Sequence, residues 1–389
     1  MEYIKGRASH IEPLDEFEKL INNKPLRVKL GIDPTASDVT LGWYAILRML
    51  RKFQELGHTA VLILGEFTAQ VGDPSGKSNT RSRMESNEVD KYSKDVLSVI
   101  KEVLLPENLE IVSNDDWLGK LKTSELMNLA SSTTLAQMME REDFSSRYSN
   151  NSPISLLEFF YPLFQGYDSV AVKADIEIGG TDQLWNLMMG REIQKYYKQD
   201  PQVAMTFPLL IGTDGEKKMS QSFNNYISIK DTPKSIFGKL MSIPDEAMWE
   251  YYILLTDLSI EEIDEMRKQV SSGTSNPFEI KKDLGTFIIQ ELFSNSEAEK
   301  AFDSFSSITI DKKVPEEMVT ITIPDSNQVH LPQLFVDNNI TKSTSEARRL
   351  IKSKSVKIDD KVVETFDFNT KDIKNKHLQV GKRRFFEIK

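Results

Sequence analysis

Tyr161, Gln165 and Asp168 are the residues whose types and spacing most directly suggest chemistry. They lie in the stretch Tyr161-Pro-Leu-Phe-Gln165-Gly-Tyr-Asp168. The mostly apolar segment 154–165 predicts a helix, and a spacing of i, i+4, i+7 puts all three on one helical face. A phenol, an amide and a carboxylate beside Phe159, Phe160 and Phe164 make a poor packing stripe. They make a good pocket for a small polar aromatic molecule, where each buried polar group meets a partner on the ligand. Taken alone, such a triplet more often marks a partly exposed helix face. A second polar cluster follows at Gly179-Gly180-Thr181-Asp182-Gln183.

Two loops have the composition to hold phosphate. Gly31-Ile-Asp33-Pro-Thr35 leads to Gly42 at a helix start, where free N–H groups and the helix dipole favour an anion. Gly72-Asp73-Pro-Ser-Gly76-Lys77-Ser-Asn-Thr-Arg81 combines glycines for close backbone approach with two cations. Neither matches a Walker or dinucleotide fingerprint, and as bare loops both read as ordinary turns. Residues 212–222, with Lys217 and Lys218 between glycines and serines, read as a mobile basic lid or a solvated charged loop.

The elements that must position these groups alternate. Residues 26–32 predict a strand, 41–56 a helix closed by Gly57, and 59–64 a second strand. That order implies a right-handed parallel crossover in a doubly wound α/β sheet. Further on, 88–105 predicts a helix, 109–112 a strand, 133–141 a helix and 145–152 a surface loop. A strand at 171–178, a helix at 181–197 and a strand at 205–211 complete the pattern. Residues 233–307 read as helical, 308–329 as a connector, and 330–389 as a small α+β module. That module contains a basic helix over 345–352, a hairpin and a basic final strand at 381–388.

Bulk composition bounds the function. A chain of 389 residues has room for two or three domains. There is no cysteine, which removes disulfides, thiol catalysis and cysteine-based zinc sites. His10, His58, His330 and His377 lie far apart, with no metal-ligand spacing, so no protein-bound metal is expected. No apolar run approaches a membrane span, and a cytoplasmic protein is the expectation. The net charge is −10, unevenly spread. Residues 341–389 hold 14 basic against 7 acidic residues, and this local +7 leaves −17 on residues 1–340. A basic C-terminal module on an acidic body suggests contact with a polyanion.

Taken in order, these motifs resemble the bacterial tyrosyl-tRNA synthetases, a class I family, over nearly the whole chain. Gly31-Ile-Asp33-Pro-Thr35 with Leu41-Gly42 is similar to the HIGH region, and Lys218-Met-Ser-Gln-Ser222 to the KMSKS lid. Residues 330–389 resemble the RNA-binding module that ends these enzymes. The resemblance implies a Rossmann-like catalytic domain over 1–222, a helical tRNA (anticodon-side) domain with connector over 223–329, and that RNA-binding module. It implies ligation of tyrosine to tRNA(Tyr) with ATP as substrate, Mg²⁺ accompanying the ATP, and a homodimer. Asp73, Tyr161 and Gln165 would hold the amino group, Asp168 the phenol hydroxyl, and Gln183 would lie by the carboxylate. Asp33, Gly42, Gly180 and Asp182 would bind ATP, with Thr35, Thr40, Lys77, Arg81 and Lys218 facing its phosphates. Arg348, Arg349, Lys352, Lys382, Arg383 and Arg384 would meet RNA.

The chain departs from the family pattern at three places. Thr40-Leu41-Gly42-Trp43 lacks both HIGH histidines, Gln221 replaces the second lid lysine, and Lys29 stands where the other branch of the family has a tyrosine. Three readings follow: a working tyrosine–tRNA ligase, a paralogue with lost or slowed activation (a specialised or inhibitor-resistant copy), or a non-enzymatic RNA- or amino-acid-binding protein.

Overall fold

The computed structural model describes residues 1–75, 84–309, 319–324, 328–359, 361–381 and 384–389. They form two compact units, Met1–Leu292 and Phe293–Lys389.

The first unit is built on a six-stranded sheet. Its strands are β1 (His10–Glu12), β2 (Arg27–Ile32), β3 (Thr59–Leu64), β4 (Leu109–Ser113), β5 (Ile176–Gly180) and β6 (Val203–Phe207), in the spatial order β1-β6-β5-β2-β3-β4. Every pairing is parallel except β1 with β6. Residues along β3 and β6 are buried almost throughout, as expected of parallel strands covered on both faces. The chain winds outward from β2 through β3 to β4, then returns to β5 and β6. The reversal falls between β2 and β5, and ligands of doubly wound sheets bind outside the strand C-termini at such a switch point.

Three helices frame that crevice: α1 (Leu41–Glu55), α2 (Phe160–Val172) and α3 (Leu184–Tyr196). Thr40 caps α1, its hydroxyl accepting from the Trp43 N–H at 3.3 Å. Gly57 takes the left-handed conformation after α1 (φ 86°), as the sequence predicts. Helix Met248–Leu255 is apolar nearly all round and is correspondingly buried. It stays with the sheet because Tyr251 donates to the Ile211 carbonyl at 2.5 Å. Arg48 of α1 joins the same region, reaching Asp257 at 3.0 Å and Glu291 at 2.8 Å. The compact units therefore part the chain at 292, whereas the expected three-part division parts it at 222 and 329.

The second unit packs helices Leu331–Asp337 and Thr344–Lys352 against a five-stranded sheet. Leu331, Leu334, Phe335, Ile351, Leu378 and Val380 lie in its core. Val319–Ile321, expected in a connector, is an edge strand of that sheet, paired parallel to Arg384–Ile388. Its short run of β-branched residues has a strand to pair with.

Other boundaries also shift. Residues 142–149 are helical, because Phe144 and Arg147 bury one face despite the polar composition. The expected helix at 133–141 shrinks to Leu135–Met138. The helix expected from 154 is a 3₁₀ turn at Leu156–Phe159 followed by α2, which absorbs Ala171 and Val172 from the predicted strand. Among the described residues no helix is long and apolar enough to cross a membrane.

Candidate active site

A cavity of about 800 Å³ opens at the switch point. Its wall includes Asp33, Thr35, Thr40, Gly42, Trp43, Asp73, Tyr161, Gln165, Asp168, Gly180, Asp182, Gln183 and Lys218. The sequence had scattered these residues over 186 positions; the topology brings them together. Lys77 and Arg81 lie outside the described residues. The aromatic neighbours of the triplet are not part of the wall. Phe159, Phe160 and Phe164 pack instead with Leu118, Leu163 and Ile193.

One end of the cavity is a continuous buried polar network. Tyr161 donates to Asp33 at 3.0 Å, and Thr68 donates to the other Asp33 oxygen at 2.7 Å. Gly65 makes this approach possible: a Cβ there would sit 2.0 Å from Asp33 Oδ1. Asn114 donates to Thr68 at 3.0 Å and to Asp168 Oδ2 at 3.2 Å, and Trp117 Nε1 donates to Asp168 Oδ1 at 2.8 Å. Asp168 is 3% exposed. Burial pushes its carboxyl up to about 7, against the lowering pulls of Lys29, Trp117 and Asn114. The Tyr161 phenol is likewise held well above its usual value by burial and by neighbouring Asp33.

Below the triplet lies a fully buried ion pair, Lys29 Nζ to Glu177 at 3.0 Å. Lys29 also donates to the Gln165 carbonyl at 2.8 Å and to Ser169 at 2.7 Å. Glu177 accepts from Gln165 Nε2 and from Ser169, both at 3.1 Å, and from Gln202. Removing one partner of such a pair strands a buried charge, at about 3–5 kcal/mol.

A third set of contacts fixes the middle of the cavity. Gln183 Nε2 donates to Asp73 at 3.0 Å, Asn186 donates to Gln183 Oε1 at 3.0 Å, and Arg141 donates to Asn186 Oδ1 at 3.2 Å. Because a guanidinium only donates, it settles the orientation of both amides behind it. Thr68, Asn114, Trp117, Arg141, Glu177 and Asn186 were not singled out from the sequence. The stretch Asn114-Asp-Asp-Trp117 carries no sequence signal of a buried site.

The other end of the cavity is open and differently made. Leu41 N–H donates to the Ile227 carbonyl at 2.9 Å and Trp43 N–H to Thr40. Of the first three N–H groups of α1, Gly42 keeps the one without a partner among the described residues. The 212–222 loop is tied down at several points. Lys218 pairs with Asp182 at 2.5 Å, Gln221 Nε2 donates to the Asp38 carbonyl at 2.6 Å, and Met219 N–H donates to Leu210. Lys217 instead lies over the Phe223 ring, 5.1 Å from its centroid.

In the second unit Arg348, Arg349 and Lys352 are exposed on one helix whose opposite side buries Ala347 and Ile351. Arg384 donates to the Ile340 carbonyl at 2.7 Å, and Lys382 and Arg383 lie outside the described residues.

Comparison with known proteins shows the family. A sequence model of the tRNA synthetases class I (W and Y) matches residues 21–309. Tyrosine--tRNA ligase of Carboxydothermus hydrogenoformans is 44% identical over 100% of this chain and 97% of that protein. The Aquifex aeolicus tyrosine--tRNA ligase is 43% identical over 99% and 96%. The crystal structure of an Archaeoglobus fulgidus tyrosyl-tRNA synthetase complexed with L-tyrosine shares the fold, with a TM-score of 0.62 at 20% identity over 77% of this chain and 98% of that one. The chain belongs to the class I tRNA synthetases and, within them, to the tyrosine–tRNA ligases, enzymes that join an amino acid to tRNA.

Proposed function

We propose that this cavity activates tyrosine with ATP and passes the tyrosyl group to tRNA(Tyr). The observation that carries the amino-acid assignment is Asp168: a carboxylate 3% exposed, oriented by Trp117 and Asn114, in the cavity wall. Each carboxylate oxygen keeps a further lone pair for a phenol hydroxyl. A site built to bond a hydroxyl rejects the analogue lacking it by roughly 10⁴–10⁵. The ammonium group lies among Asp73, Tyr161 and Gln165, and the reacting carboxylate lies by Gln183. That carboxylate attacks the α-phosphorus of ATP, the bond to the β-phosphate oxygen breaks, and pyrophosphate leaves. A ribose hydroxyl of the tRNA then takes the tyrosyl group and AMP departs. Neither step needs a protein nucleophile; positioning and charge stabilisation carry both.

Asp33, Gly180 and Asp182 hold the adenylate, with Gly42 N–H at the helix start. Thr35, Thr40, Lys77, Arg81 and Lys218 face the phosphates, and Mg²⁺ arrives with ATP on the phosphate oxygens. The Thr40 hydroxyl accepts from Trp43 and so keeps its proton for a phosphate oxygen. Losing a transition-state donor costs about 2.7–4 kcal/mol, so a site without the HIGH histidines runs more slowly than one with them. The protein works in the cytoplasm. Helices of 223–329 lie on the anticodon side of the tRNA, and the basic surface at Arg348, Arg349 and Lys352 meets its backbone with 382–384. A homodimer covers the apolar groups of 127–157, where Met127, Leu135, Tyr148 and Leu156 are 67–78% exposed. Charging of tRNA(Tyr) with radiolabelled tyrosine tests the reading. Accumulation of tyrosyl-tRNA is expected; binding of both substrates without charging contradicts it.

A further inference from the structure

We propose that the buried Lys29–Glu177 pair is a positioning device that fixes which end of the Gln165 amide serves the substrate. The inference rests on the tyrosine reading of the cavity. Gln165 lines that cavity, and an amide side chain offers a donor at one end and an acceptor at the other. Glu177, paired with Lys29 at 3.0 Å, presents only acceptors to its neighbours. It therefore holds the amide nitrogen of Gln165, at 3.1 Å. Lys29 fixes the backbone of the same residue by donating to its carbonyl at 2.8 Å. Gln165 is thus held at two points, and its amide has one orientation. The consequence is visible at the other end: Gln165 Oε1 is buried and has no hydrogen-bond partner among the described residues. A buried acceptor without a donor is unfavourable, and a cationic donor satisfies it best. The substrate ammonium is such a donor, whereas an amide turned the other way would present N–H groups to it. The ion pair is large and costly to bury, and packing alone would be served by two apolar side chains. Its place, one bond behind the only amide of the triplet, gives it a task that apolar residues could not perform.

Glu177→Gln removes the constraint while keeping the volume, because a glutamine can donate to Gln165 Oε1 and turn the amide over. The probe is the ratio of affinities for tyrosine and for 3-(4-hydroxyphenyl)propionate, the same molecule without its amino group. Both are measured by fluorescence or calorimetric titration of the full-length protein. In Glu177→Gln, tyrosine is expected to weaken on the order of 10–100-fold, the loss of one hydrogen bond to a charge. The des-amino compound is expected to change less than about twofold on the same argument, since it makes no contact with Oε1. KM for tyrosine should rise far more than kcat falls. Because Glu177→Gln leaves Lys29 buried without its anion, Lys29→Met/Glu177→Gln is measured beside it, and the same selective loss is expected of this neutral pair. Equal weakening of both compounds, or an unchanged ratio in the two variants, overturns the proposal in favour of a purely structural pair. An unmodified protein that fails to prefer tyrosine over its des-amino analogue overturns the underlying reading of the cavity instead.

Discussion

The two ends of the cavity are made in different ways. The amino-acid end is closed: Asp33, Thr68, Asn114, Asp168 and Trp117 are linked by hydrogen bonds of 2.7–3.2 Å, with a buried ion pair beneath them. The nucleotide end offers the Gly42 N–H, Thr35, Thr40 and Trp43, and a lid whose polar residues are held by protein partners. Lys218 lies on Asp182 and Gln221 on the Asp38 carbonyl. Binding the small amino acid needs a prebuilt, dry surface, because its discrimination depends on leaving buried groups unpaired when the wrong ligand enters. Phosphate charge develops during the reaction, and groups that meet it can be exchanged between protein and nucleotide. The departures from the family pattern fall mainly at this second end. On the proposed reading, the groups that would stabilise the transition state differ there, while those that would recognise the amino acid are kept.

The contrast can be broken most severely at Asp168. Asp168→Ala is expected to erase tyrosine-over-phenylalanine selection by roughly 10³–10⁵, leaving ATP affinity within about twofold. Competitive activation assays with the two amino acids check this. Lys218→Ala attacks the opposite end, and kcat for activation should fall about 10²–10³-fold with tyrosine affinity nearly unchanged. A comparable loss of tyrosine binding would mean that the two ends are not separable.

Acidity distinguishes the ends more gently. The phenol hydroxyl donates best to ionised Asp168, whose free-enzyme value is about 7. Accordingly kcat/KM for tyrosine should drop about tenfold per pH unit below that value, and KM for ATP should not follow it. Stability moves the other way. The folded value of Asp168 lies above its ordinary 3.8, so this group binds its proton more tightly in the native state. Its contribution to stability therefore declines as pH rises from about 4 to about 7. Thermal unfolding of the protein and of Asp168→Asn across that window isolates it. The smallest expected effect is a gain: Thr40→His/Trp43→His should raise the activation rate about tenfold, less than one full transition-state donor, because the displaced Thr40 cap costs something in return.

Much of this division was legible in the sequence, for identifiable reasons. The triplet on α2 announces itself because helical spacing joins Tyr161, Gln165 and Asp168, and the β2–α1–β3 crossover follows from periodicity. Both are local signals. The partners of Asp168 were not legible, because Asn114 and Trp117 reach it from after β4, and only the sheet order brings them near. Glu177 was hidden for a related reason: in a strand fully covered on both faces, a charged residue betrays its partner only when the neighbouring strand is known. The helix at 142–149 was missed because its serines, with the asparagines that follow it, outweighed the buried Phe144 and Arg147.

The most direct test of the account is tyrosine-dependent exchange of labelled pyrophosphate into ATP by the unmodified protein. Exchange that requires tyrosine and is not supported by phenylalanine is the expected result, and shows that a complete amino-acid end drives an altered nucleotide end. Absence of exchange at saturating tyrosine and ATP, with tyrosine still bound, would contradict the claim that activation survives without the HIGH histidines.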